Sequence, residues 1–205
     1  MRHGLKWAWI VLVVTGCAVL PPAEDGEGRL PEDPMAFVLE GKVAWRHPEG
    51  RGSANMSWTQ EVGDSFRLLL TGPLGQGAVL LESHAGGVRL DTPEGPRYAD
   101  DADELLAATL GFSVPVAQAR YWVLGVPAPV AVAGNPAQVA ERDAHGRPAA
   151  VTQSAWQIEW SDRRLVDDYA LPRRVQLERG DTRLTVVIGA WSLAESGPLA
   201  ALTAN

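Results

Sequence analysis

Through the body of the chain, apolar and polar residues alternate with a period of two. In "LEGKVAW", Leu39, Val43 and Trp45 share one side, while Glu40, Lys42 and the following Arg46 share the other. In "ANMSWTQ", Ala54, Met56 and Trp58 oppose Asn55, Ser57 and Thr59. "WQIEWS" sets Trp156, Ile158 and Trp160 against Gln157, Glu159 and Ser161, and "RLTVVI" carries the apolar row Leu184, Val186 and Ile188. A period of two sends successive side chains to opposite faces of a strand. These segments predict strands with one dry and one wet face, as antiparallel sheets have. Turn signals separate them at Pro48-Glu49-Gly50, Gly63-Asp64, Gly86-Gly87, His145-Gly146 and Gly180-Asp181, the last a good two-residue hairpin.

The period changes once. Asp101 with Glu104 three residues on has the form of a capping box and opens "ADELLAATL", where Leu105, Leu106 and Leu110 make an apolar stripe ended by Gly111. "PVAQARYWVLG" then begins at Pro115, suited to a first helical turn, and stops at Gly125. The predicted fold is mainly β: a long antiparallel meander, strongly curved or forming an open barrel, with one or two short helices over its concave face. Within it, "RLLLTGPLGQGAVLLE" breaks two apolar runs with Gly72, Pro73, Gly75 and Gly77, and places Leu74 inside the break. A branched apolar side chain is unusual among turn residues and calls for a reason.

The ends add a location. Arg2 and Lys6 precede an apolar run from Trp7 to Gly16, the length of a signal-peptide core and too short to span a membrane as a helix. The run ends "VVTGC", the form of a bacterial lipobox. Residues 1–16 are therefore expected to be a signal peptide, and Cys17, the only cysteine, the lipidated N-terminus; a lone cysteine in a secreted chain has no internal disulfide partner. In bacteria with two membranes, Asp after the lipidated cysteine retains a protein at the inner membrane. Ala18 stands there instead, so the expected place is the periplasmic face of the outer membrane. The expected organisation continues with a flexible tether over 17–36, rich in Pro, Glu, Asp, Gly and Ala, that extends at about 3.1 Å per residue. One domain over 37–193 and a disordered tail over 194–205 complete it.

The formal net charge of −7 argues against nucleic acid and against electrostatic binding to anionic membranes, so that contact with lipid is expected to be apolar or covalent. Candidate chemistry is sparse. His47, His84 and His145 lie beside turns without metal-ligand spacing, and no Gly-x-Ser-x-Gly elbow occurs. "GPLGQG" has the wrong glycine spacing for a phosphate loop, and Pro73 lacks an amide hydrogen. Asp100, Asp101, Asp103 and Glu104 read as helix capping and dipole compensation. No catalytic group, metal site or cofactor is expected, and the chain does not read as an enzyme. All but Trp7 and Trp9 of the eight tryptophans lie in the domain. They read either as an aromatic core or, because an indole N–H needs a partner, as the wall of an apolar ligand cavity. On the second reading Trp45, Trp58 and Trp122 line the cavity with Trp156 and Trp191, and Trp160 is a further candidate.

"FVLEGKVAWR", "ANMSWTQ", "FRLLLTGPLGQGAVLLE", "DADELLAATLGFSVPVAQARYWVLGVP", "AWQIEW" and "LPRRVQLERGDTRLTVVIGAW" occur in an order that resembles the LolB family of outer-membrane lipoprotein receptors. The similarity covers nearly all of 37–191. Its most specific parts are the Pro-Leu-Gly loop and the Tyr-Trp-Val-x-Gly-x-Pro segment; Thr15 in the lipobox and a longer tail depart from the pattern. The resemblance implies an incompletely closed antiparallel β-barrel with a helical plug and a hydrophobic cavity. It implies a monomeric receptor that accepts acylated lipoproteins from the periplasmic carrier LolA and releases them into the inner leaflet of the outer membrane, without nucleotide or metal. It also implies that the Pro73, Leu74, Gly75 loop inserts into the membrane, with Leu74 protruding. The alternative reading is a tethered lipid- or protein-binding scaffold without transfer activity.

Overall fold

The computed structural model describes residues 28–32, 35–75, 77–84 and 86–193, with Leu74 described by its backbone alone. The signal peptide, Cys17, the tether before residue 28 and the tail over 194–205 lie outside the described residues.

The period-two segments become long strands. Phe37–His47 (β1) turns at Pro48-Glu49 into Gly50–Gln60 (β2), and the meander continues through Phe66–Thr71 (β3), Val79–His84 (β4), Gly87–Thr92 (β5) and Gly95–Ala99 (β6). After the helices come Gln138–Arg142 (β7), Pro148–Gln153 (β8), Trp156–Val166 (β9), Tyr169–Arg179 (β10) and Thr182–Leu193 (β11). Every ladder is antiparallel, and β11 returns to pair with β1. The eleven strands form one sheet in the order β6-β5-β4-β3-β2-β1-β11-β10-β9-β8-β7. The first and last strands are thus central neighbours, while β6 and β7 are edges that do not meet. The sheet curves without closing.

Register decides what shares a face. Leu39 lies between Trp58 and Trp191, and Val43 between Ala54 and Val186. These join Ile158, Val175, Leu184 and Ile188 in one apolar interior. The helices cover that side. Ala102–Leu110 (α1) packs over β5 and β6, and Val116–Val123 (α2) against β10. Asp101 caps α1 by accepting the Asp103 N–H, and Gly111 ends it in the left-handed conformation with its N–H on the Ala107 carbonyl. The expected reciprocal box with Glu104 is reduced to that Asp101 bond. A further short helix, Val130–Ala133 (α3), and a single 3-10 turn at Pro73–Gly75 carry no periodic signal; both are too short to show one.

The described part of the expected tether is docked. The Arg29 N–H donates to the Asp168 carbonyl (3.0 Å), and the Ala170 N–H donates to the Arg29 carbonyl (2.9 Å). The Arg29 guanidinium lies 4.6 Å from the Tyr169 ring centroid and donates to its hydroxyl (3.0 Å). Gly28 permits this approach: a Cβ there would sit 2.6 Å from the Ala170 amide nitrogen. Composition showed few apolar anchors in this stretch, but backbone hydrogen bonds need none.

Candidate functional site

The tryptophans expected to surround a cavity all belong to the side covered by the helices, at separate stations. At the end of the sheet where β1 begins, the Phe37 ring meets Trp58 (5.8 Å) and Trp191 (5.4 Å) edge to face. Trp122 of α2 and Trp156 beneath it are both fully buried, with ring centroids 6.3 Å apart. At the opposite end, half-buried Trp45 lies 6.4 Å from Phe112, the residue just past α1. Gly52, opposite Trp45 in the register, leaves room for the indole; any Cβ there would run into the ring. Trp160 is buried beneath α2. Of the five rings first expected at a cavity, Trp45 alone borders the groove of about 770 Å³ at this end, and Trp58, Trp122 and Trp156 are buried in the apolar cluster.

The helices are held to the sheet by a few polar fasteners. The Trp122 indole N–H donates to Gln153 Oε1 (3.0 Å), which also accepts the Ala128 N–H (2.9 Å), and Gln153 Nε2 donates to the Ala128 carbonyl (2.7 Å). Trp160 Nε1 donates to the Trp122 carbonyl (2.6 Å). Arg163 donates to the carbonyls of Gly125 (3.0 Å), Ala170 (3.0 Å) and Pro148 (2.8 Å). Burial pushes the Arg163 guanidinium down to about 10, with Arg147 acting the same way and Asp143, 3.8 Å off, opposing; it stays a cation at neutral pH. Gly125, at φ +84°, is the only residue type that fits, because a side chain there would collide with Arg163. Between the helices, Asp103 accepts the Val116 N–H (2.9 Å). Burial and the neighbouring Asp101 charge raise the Asp103 carboxyl above its ordinary range. Sequence reasoning missed Gln153 and Arg163. Nothing in a one-dimensional pattern distinguishes a fully buried glutamine or a nearly buried arginine from their exposed counterparts.

Three indole nitrogens are not fastened. Those of Trp58, Trp156 and Trp191 are buried without an acceptor among the described residues. An unmet buried donor costs about 1–3 kcal/mol, and most buried polar groups in folded proteins avoid that cost.

The Pro73–Gly75 turn joins β3 to β4, with the Gly75 N–H on the Gly72 carbonyl (3.0 Å). It packs near β2. The direction of the strands puts it at the same end as the β1–β2 and β10–β11 turns, and Pro73 borders the Trp45 groove. The side chain of Leu74 lies outside the described residues.

The family model "Outer membrane lipoprotein LolB" matches residues 35–191. The chain belongs to the LolB family. An outer-membrane lipoprotein LolB of Nitrosococcus oceani is 39% identical over 92% of this chain and 100% of its own length. Another, of Chromohalobacter salexigens, is 35% identical over 91% and 90%. Among solved structures, a LolA superfamily protein of Nitrosomonas europaea superposes with a TM-score of 0.52 at 12% identity, covering 84% of this chain and 91% of that one. The fold is therefore LolA-like: a mainly β, unclosed antiparallel sheet with short helices. Membership in the LolB family makes the chain an outer-membrane lipoprotein with a role in lipoprotein localisation, and a receptor, not an enzyme.

Proposed function

We propose that this protein accepts acylated lipoproteins from a periplasmic carrier of the LolA type, holds their acyl chains between its curved sheet and its helices, and releases them into the inner leaflet of the outer membrane. The observation that carries the reading is the interior. It is apolar and rich in indoles, and three of its buried indole N–H groups lack acceptors among the described residues. Ester and amide carbonyls at the head of an acylated cysteine are acceptors that would enter together with the chains.

The energetics favour such a hand-over. Burial of acyl chains is worth about 0.8 kcal/mol per methylene, so three long chains would cost tens of kcal/mol to release into water. Passage from one apolar site to the next, and then to lipid, avoids that cost. An open sheet allows the helices to lift without breaking a strand ladder. What must yield is the Gln153, Trp160 and Arg163 bonding, most of it to main-chain groups, while the displaced apolar faces are re-covered by the chains. The process is a partition between apolar sites and calls for no cofactor. In this reading Cys17 is the lipid anchor, the Pro73, Leu74, Gly75 loop enters the membrane, and Trp45, Trp58, Trp122, Trp156 and Trp191 contact cargo.

The test is stepwise transfer. The full chain with Cys17→Ala, mixed with carrier loaded with lipoprotein, is expected to take the cargo in a soluble one-to-one complex. It should then yield that cargo to outer-membrane vesicles. Failure to take cargo overturns the reading. Uptake with no release to any membrane, by the anchored parent as well, would establish the tethered scaffold instead.

A further inference from the structure

On the outer face of the sheet, beside the Pro73–Gly75 turn, the register brings three arginines side by side. Arg46 of β1 pairs with Arg51 of β2 on one flank and with Arg183 of β11 on the other. All three are exposed and alternate with the buried Val43, Ala54 and Leu184 of the inner face. Like charges directly opposite on neighbouring strands are destabilising, and the fold offsets that cost only in part. Compensation is partial. Glu178 of β10 lies 2.6 Å from Arg183 Nε, whereas neither Arg46 nor Arg51 has a hydrogen bond or ion pair among the described residues. Lys42, opposite Asn55 and Val187, and Arg174, opposite Val187, continue the positive strip on the same face. The acidic groups nearest in sequence, Glu49 and Asp181, are exposed in the adjoining turns. This basic strip stands on a chain whose net charge is −7.

With Ser53, Thr185 and Pro73, the arginines line the same groove of about 770 Å³ that Trp45 borders. A guanidinium is a planar fork suited to phosphate oxygens, and the two hydroxyls supply further donors. We propose that Arg46, Arg51 and Arg183 form a platform for the phosphate headgroups of anionic phospholipid. Its occupant is a membrane surface, not a soluble anion. The groove is open, its cations are exposed, and among the described residues no buried polar side chain closes over a single ligand; such a strip gains most from a surface carrying many phosphates. Its place completes the argument. A lipid whose headgroup rests on the arginines sets its chains beside the turn that, under the proposed function on which this inference rests, enters the bilayer. The platform would hold the outer wall of β1 and β2 against the headgroups and fix the angle at which the turn arrives.

The experiment uses the full chain with Cys17→Ala, so that only protein contacts hold it, and measures cosedimentation with phosphatidylcholine vesicles with and without phosphatidylglycerol. The anionic vesicles are expected to bind more tightly, by about fivefold for each arginine engaged, and the advantage should fall as salt is raised. Arg46→Gln with Arg51→Gln should abolish most of that advantage, whereas Arg46→Lys with Arg51→Lys should retain most of it. Leu74→Glu should weaken binding to both vesicles and leave their ratio unchanged. A double glutamine variant that keeps the full preference for phosphatidylglycerol overturns the platform. So does inorganic phosphate that abolishes the preference when chloride of equal ionic strength does not. If Leu74→Glu binds both vesicles as the parent does while the arginine variants lose the ratio, the loop reading fails and the platform stands.

Discussion

Leu74 sits in a turn whose backbone is set by its neighbours. Pro73 fixes one torsion, Gly75 adopts φ +75°, and one Gly75-to-Gly72 hydrogen bond closes the turn. Burial of one leucine in lipid is worth roughly 1.5–3 kcal/mol, enough to bias a docking step about tenfold or more and too little to anchor a protein. Leu74→Glu substitutes the cost of a charge in lipid for that gain. The variant is expected to melt at the parent's temperature, to accept lipoprotein from the carrier, and to lose most delivery to membranes, with Leu74→Ile close to the parent. Calorimetry, carrier-to-receptor transfer and delivery, measured in parallel, check this; a Glu variant that delivers normally removes the role given to the loop. The leucine was legible in the sequence because it broke a rule for turn residues. Arg46, Arg51 and Arg183 broke none: each sat on the polar side of an alternating strand, and only the pairing of β2, β1 and β11 made them neighbours.

At the scale of elements, the strands with strict alternation and the helix bounded by Asp101 and Gly111 could be drawn from the sequence, because each rests on local periodicity and caps. The docked segment at Arg29 could not. It is held by main-chain bonds to Asp168 and Ala170 and by the Tyr169 ring, none of which leaves a pattern. It also has a consequence for reach. The β9–β10 turn stands at the opposite end of the strands from the Pro73–Gly75 turn, since β10 and β3 both run from the former end toward the latter. With Arg29 docked, the stretch from Cys17 to Gly28 spans about 40 Å at most, at roughly 3.6 Å per residue. Gly28→Val is expected to undock the segment, because any Cβ there collides with the β10 backbone. Amide exchange at Arg29 and Ala170 should accelerate at least tenfold while the protection of β1 and β11 is unchanged. Loss of protection throughout the sheet would instead make the segment part of the core.

At the scale of the whole molecule, stability in acid depends on how the loops at the tether end are tied. Asp143 is partly buried, which by itself raises its carboxyl. The Arg147 guanidinium (2.7 Å) and the backbone N–H groups of Arg147 and His145 outweigh that, and hold it below the usual carboxylate range. A carboxyl depressed in the folded state contributes stability above its unfolded pKa, and that stability is lost as pH falls through the folded value. Asp103, raised mainly by burial, acts in the opposite sense and favours the folded state as it protonates. Asp143→Asn is therefore expected to be less stable than the parent at neutral pH, with the gap closing in acid. Thermal melts across that range check the sign, and a gap that is constant with pH rejects the assignment. What the sequence by itself determined was local: which residues face in or out, where turns and caps fall, and, through the lipobox-like start and the ordered motifs, which family to expect. These follow from backbone geometry and side-chain polarity within a few residues. What only the tertiary structure decided was every long-range partnership. Among these are the return of β11 to β1, Gln153 and Arg163 fastening α2, Gly52 making room for Trp45, the indoles left without acceptors, and the row of arginines. Such pairings join positions far apart in the chain through register and burial, and no local period encodes which distant residue will arrive.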